Sequence, residues 1–266
     1  MSMDMIPIWA LFVGTILIVL ASIELGYLLG RYTHRKSEEE KESSASPITG
    51  SVLGLVAFIL AFTFGIVFNR FDAKKELVKQ EANAIGTAWL RSDFLPEPDR
   101  SEAKSLFRDY VEMSLAFVQS RDTSPEYAKT VRSERQQIQN RLWDMAMVHA
   151  RQDPHSELAA LYIESLNEVI DLRTLRVVVG LQARMPTAIW FMLFSLTCLG
   201  VMSMGYQTGI AGSKRSTVRP ILATSFALVI TLIALLERPN SRIIPVSQQP
   251  QIDLLSSMGG SGGNVK

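Results

Sequence analysis

The sequence holds little of what catalysts and metal sites are built from. Among its 266 residues there is one cysteine, Cys198, and there are three histidines, His34, His149 and His155. A single cysteine excludes an intrachain disulfide and a cysteine metal cluster. His149 and His155 lie six apart across Asp153-Pro154, without the i,i+4 spacing and flanking carboxylates by which helical histidines hold zinc. No Gly-rich phosphate loop, nucleophile elbow or other catalytic signature appears. The expectation is therefore no catalytic residue, no metal ligand and no cofactor, and the chain does not read as an enzyme. The net charge is +1 with no cluster of Lys and Arg, which argues against nucleic acid as a partner. Strand-type alternation and internal repeats are missing as well, so the pattern is helical throughout.

The most informative shortage is local. Residues 7–30, 48–69, 187–206 and 221–236 carry almost no charge, and each approaches the ~20 residues that cross a ~30 Å hydrocarbon core. The expected fold is an all-α membrane protein with four transmembrane helices in two hairpins. A helical extramembrane domain is expected between spans 2 and 3. The corresponding division is 1–69, first hairpin; 70–185, helical domain; 186–237, second hairpin; and 238–266, a flexible tail suggested by the Gly/Ser-rich end. The first apolar run follows Asp4 rather than Lys or Arg and is too long for a signal-peptide core, so it is expected to stay in the mature chain.

The charges that remain set an orientation. Arg31, Arg35, Lys36 and Lys41 in the first short loop, and Lys214, Arg215 and Arg219 in the second, outnumber Arg238 and Arg242 beyond span 4. By the positive-inside rule the short loops face the cytoplasm of a plasma (inner) membrane and the large domain lies outside.

Between the hairpins, no Pro or Gly interrupts residues 66–85. Span 2 should therefore continue unbroken to the Asp93-Phe94-Leu95-Pro96-Glu97-Pro98 stop, giving a helix from about 48 to 92, roughly 65 Å long. Asp99 is the expected cap of the next helix, Thr123-x-x-Glu126 with Pro125 opens a third, and Asp153-Pro154 opens a fourth that leads to Pro186.

Span 2 carries the clearest candidate site. Gly50, Gly54, Ala57, Ala61 and Gly65 form a stripe of small residues that lets another helix approach closely. Phe58 and Phe62 lie four apart on an adjacent line. Plain helix packing accounts for such a pattern; so does a pore-lining helix with a hydrophobic constriction that gates by dewetting. Asn69 and Arg70 end the span, and a ring of Arg70 in an oligomer would concentrate anions. Glu24 lies inside span 1, where an acid is costly and is suspect as functional unless it snorkels to the interface. Glu81, Asn83 and Thr87 sit on an Ala- and Gly-rich stretch suited to bonding across packed helices. Glu164, Glu168 and Asp171 precede Arg173 and Arg176 and read mainly as partners for structural ion pairs.

The run 54–89, with Glu81-Ala82-Asn83-Ala84-Ile85-Gly86-Thr87 at its heart, resembles the bestrophin-like domain family. So do residues 165–176, with Asn167, Glu168, Asp171, Arg173 and Arg176, then residues 186–190, and Leu236-Glu237-Arg238-Pro239. A more distant similarity is to the bestrophins themselves, pentameric anion channels whose second transmembrane helix lines the pore. That resemblance implies a neck at Gly54, Phe58 and Phe62, shorter than usual because Gly54 lacks bulk, followed by Asn69, Arg70 and Phe71. No acidic run matches the bestrophin calcium clasp, so calcium gating is not implied. Bestrophins place their large domain in the cytoplasm, opposite to the loop charges. The combined expectation is a homo-oligomer in a lipid bilayer, a pentamer by resemblance, passing small anions along span 2. The alternative is a membrane-anchored sensor or scaffold whose helical domain binds a ligand or partner protein.

Overall fold

Long unbroken runs of helix-forming residues produce long helices here. The computed structural model describes residues 6–36, 45–120, 124–182, 184–213, 217–238 and 243–259, and among these there is no strand. The elements are α1 (Ile8–Lys36), α2 (Ala45–Arg91), α3 (Asp99–Gln119), α4 (Pro125–Gln152), α5 (Glu157–Val177), α6 (Thr187–Ile210), α7 (Arg219–Glu237) and α8 (Gln249–Ser257). Helices α1, α2, α6 and α7 are long and apolar enough to cross a membrane. Helix α2 is a single rod of 47 residues, about 70 Å at 1.5 Å per residue.

Several helices run past the expected span ends. Helix α1 continues to Lys36 and α6 to Ile210, while α2 begins at Ala45 and α7 at Arg219. Arg, Lys and Gln are good helix formers, so the loss of apolar character at a membrane boundary does not end a helix. Lys41, Lys214, Arg215 and Arg242, counted for orientation, lie outside the described residues.

The described residues divide into two compact units, 1–71 with 183–245 and 72–182 with 246–266. In unit 1, α1 lies against α6 and α7. The order of contact shows α1 and α6 running parallel, with Gly26 meeting Met202 and Tyr206, and Gly30 meeting Tyr206 and Ile210. Four glycines make this possible. A Cβ at Gly26 or Gly30 would collide with α6 carbonyls, and one at Gly205 or Gly209 with carbonyls of α1. Backbones at this distance offer Cα–H to carbonyl contacts and dense packing, which is how helices associate where lipid removes the hydrophobic drive. Val56, Leu60, Val67, Trp190, Leu193, Ile230 and Ile233 fill the rest of the interior. Outward, Trp9, Leu17, Phe191, Met192 and Ile221 are exposed, an apolar surface suited to lipid.

In unit 2, Ile85 of α2, Phe107, Tyr110 and Val111 of α3, Leu142 and Met145 of α4, and Tyr162, Leu166 and Val169 of α5 form one core. Three helix starts differ from expectation. Asp99 is the first helical residue rather than the cap, and its Oδ2 lies 2.7 Å from His149 Nε2. The cap of α4 is Ser124, whose Oγ accepts from the Tyr127 N–H at 3.2 Å; Thr123 lies outside the described residues. Asp153 closes α4 in an extended conformation, as the following proline requires, and Ser156 caps α5. The tail is the largest correction. Residues 249–257 form helix α8 rather than flexible chain, with Gln251 fully buried and Met258 in the core of unit 2. Ile252, Leu254 and Leu255 supply the apolar face that docks it.

Candidate functional site

The face of α2 that carries the predicted pore residues is uncovered within unit 1. Phe58 is 65% and Phe62 61% exposed, and their rings stack with centroids 6.4 Å apart. Gly50, Gly54, Ala57, Ala61 and Asn69 are exposed on the same helix, and Gly65 is half-buried. Nothing lies within 4 Å of where a Cβ would stand at Gly50, Gly54 or Gly65. Among the described residues no other helix meets the glycines of this stripe, and the close backbone approach seen within the chain is the one between α1 and α6. Arg70 is half-buried, and one of its terminal nitrogens, Nη1, is buried without a hydrogen-bond partner.

Three charged side chains of unit 1, Glu24, Glu237 and Arg238, are engaged with partners within that unit. Glu24 accepts from Arg219 Nη1 at 2.8 Å, and the Arg219 guanidinium lies 4.7 Å from the centroid of the Tyr27 ring. The acid of α1 is therefore paired with Arg219, one of the basic residues counted in the second short loop. Glu237 accepts from the backbone N–H of Met185 and, at 3.1 Å, from Trp190 Nε1. Arg238 donates to the Ile6 carbonyl. Glu237 and Arg238 of the Leu236-Glu237-Arg238-Pro239 motif thus fix the starts of α6 and α1.

Unit 2 has a charged centre. Glu81 has no solvent exposure. Its carboxylate accepts from Arg176, from Gln251 Nε2 at 3.1 Å and from the Tyr110 hydroxyl at 3.5 Å. Arg176 also donates to Gln248 Oε1 at 2.8 Å. One buried acid thereby ties α2 to α3, α5, α8 and the residue before it. Burial, with the Glu81 charge alongside, raises the Tyr110 hydroxyl well above the ordinary tyrosine range, keeping it a neutral donor. The expected grouping of Glu81, Asn83 and Thr87 does not form, since Asn83 and Thr87 are exposed. At 100° per residue, positions 81 and 83 point to nearly opposite sides of the helix.

Thr87 instead borders a groove shared with α5. With Arg91, Glu164, Asn167, Glu168, Asp171, Leu172 and Leu175 it lines this open groove of about 680 Å³. Arg91 Nη1 lies 3.7 Å from Glu164 and donates to the Leu161 carbonyl at 2.6 Å. Arg173 lies on another side of α5, near Arg135 and Arg176. Among the described residues no group of three or more His, Cys, Asp or Glu is placed to hold a metal.

A bestrophin-like domain is matched over residues 16–251. The chain belongs to the bestrophin-like domain family. With four helices of spanning length and composition, this bestrophin-like protein is a membrane protein. No curated protein and no solved structure is significantly similar to it. The bestrophin-like stretch takes in the whole exposed face of α2, Glu81 with its partners Tyr110, Arg176 and Gln251, and Gln248, which Arg176 also bonds. Of these partners, sequence reasoning singled out only Arg176. Arg135 and Gln139 also escaped it, although Val131, Arg135, Gln139 and Leu142 recur on one buried face of α4, the spacing of a core-facing stripe.

Proposed function

We propose that this protein is a homo-oligomeric channel for small anions in which α2 of each copy faces a common axis. The observation that carries this is the uncovered face of α2, where two stacked, exposed phenylalanines adjoin a stripe of small residues whose glycines meet nothing within 4 Å among the described residues. Glycine in a helix interior costs about 1 kcal/mol relative to alanine, and in lipid such residues are compensated by close helix approach. Neighbouring copies of α2 supply that approach, and Phe58 and Phe62 then form stacked apolar rings that hold a narrow passage dry. Arg70, at the end of the span, places a ring of positive charge at the mouth and raises the local anion concentration.

The experiment is twofold. In a Cys198→Ala background, Phe58→Cys is expected to crosslink copies into a ladder of oligomers in native membranes. In planar bilayers, Phe58→Ala with Phe62→Ala is expected to raise anion conductance by removing the apolar constriction. Failure to crosslink, or a conductance equal to wild type, sinks the pore.

A second reading has its own support. The groove of unit 2 gathers four polar residues of the family-like motifs, Thr87, Asn167, Glu168 and Asp171, against Leu172 and Leu175. A mixed polar and apolar groove of that size suits a ligand or a peptide, as a membrane-anchored sensor or scaffold requires. Substitutions there that change neither oligomer nor conductance, but abolish a partner's binding, favour this second reading.

A further inference from the structure

The charges around Glu81 do not balance. Glu81 on α2, Arg135 on α4, and Arg173 and Arg176 on α5 act on one another, with the Tyr110 hydroxyl among them. One carboxylate faces three guanidiniums. Glu81 is already occupied by Arg176, Gln251 and Tyr110, so it compensates Arg176 best and the other two poorly.

Arg135 is the exposed flank of that imbalance in charge, though not in space: it is only 4% accessible to solvent. The charge acting most strongly on it is that of Arg173 rather than Glu81. Burial together with the Arg173 charge pushes the Arg135 guanidinium down to about 10, the direction expected for a cation short of counter-charge. Its hydrogen bonding is incomplete as well. One terminal nitrogen donates to the Met113 carbonyl at 3.1 Å and the guanidinium carbon lies 5.6 Å from the Phe117 ring centroid, but the buried Nε has no partner. One turn along α4, Gln139 is 7% exposed and its amide Nε2 is also buried without a partner. Both orphaned groups are donors, and both stand on the same face of one helix.

Buried charges persist when paired, and buried donors when bonded. From the excess positive charge and the two unfilled donors, we infer that unit 2 binds a small inorganic anion of chloride size beside Arg135 and Arg173, with the Gln139 amide as neutral donor. The site lies in unit 2 and involves none of the α2 residues assigned to the pore. It makes the stability of the helical domain respond to anion concentration, because a ligand that binds the folded state stabilises it by mass action.

The test uses the full-length protein in detergent, unfolded thermally at fixed ionic strength while sodium chloride replaces sodium gluconate. The expected result is a saturable rise in melting temperature with chloride. Gln139→Leu, a substitution that leaves Arg135 in place, is expected to weaken the apparent chloride affinity roughly fivefold to tenfold. Arg135→Gln removes the response altogether. Should Arg135→Gln fail to fold, Gln139→Leu and a 35Cl NMR linewidth titration of the wild type still decide the matter. Phe58→Ala is expected to keep the full chloride response, which separates this site from the pore. Equal melting temperatures in chloride and gluconate, or a response undiminished in Gln139→Leu and Arg135→Gln, overturns the inference.

Discussion

The two units reach specificity by opposite means. In unit 1 the closest contact is made by leaving side chains out: Gly26, Gly30, Gly205 and Gly209 bring the backbones of α1 and α6 together. In unit 2 the helices are registered by putting a charge in: Glu81, fully buried, bonds Arg176, Gln251 and Tyr110. The difference follows from the surroundings. Apolar side chains in lipid gain nothing by leaving it, so helices there depend on close packing. In a helical domain built on a water-excluding core, hydrophobic burial supplies the drive and a buried polar network selects one arrangement.

Removing the charge is expected to have the larger effect. Glu81→Ala strands Arg176 beside two other buried or half-buried arginines, and breaking a buried pair in this way costs about 3–5 kcal/mol. Hydrogen exchange should show α8 and the Glu81 segment of α2 opening, with α1 and α6 unchanged. If α8 stays protected, the carboxylate is not what holds it.

Filling the glycine contact comes next. Gly205→Ala drives a methyl group into the Ile23 carbonyl, and overpacking of this kind costs about 1–3 kcal/mol. The loss is confined to unit 1, so thermal unfolding followed by exchange in α1 and α6 should shift while unit 2 does not. Wild-type stability in Gly205→Ala would show that the α1 and α6 backbones can separate without penalty.

How far the sequence disclosed these features depended on the kind of signal. Four charge-poor runs and the uninterrupted 66–85 segment are enough to predict the four long apolar helices and the length of α2, because cost in lipid depends on composition alone. The small residues of α2 were equally visible, but Gly26/Gly30 and Gly205/Gly209 show the same four-residue spacing, and spacing does not say which stripe meets a helix of the same chain. Glu81 and Arg176 stood in recognisable motifs, whereas Gln251 was hidden in a tail whose Gly/Ser end obscured the short apolar stripe of α8. Arg135 and Gln139 look like solvated positions until the neighbouring Val131 and Leu142 reveal their face as inward. The helix starts shifted by up to a few residues because neighbouring positions offer similar capping side chains, Thr123 beside Ser124 and Asp153 close to Ser156, and only backbone geometry separates them.

The smallest expected effect bears most directly on function. Gly54→Ala adds a methyl group where nothing lies within 4 Å, and replacing a mid-helix glycine favours the helix by up to about 1 kcal/mol. The isolated protomer should therefore be unchanged or slightly more stable, in contrast with Gly205→Ala. If α2 helices of neighbouring copies meet along this stripe, the same methyl group is a wedge, and the oligomer fraction on size-exclusion chromatography falls while protomer stability does not. A variant equal to wild type in both measurements places the stripe against lipid and leaves Phe58 and Phe62 without a pore to line.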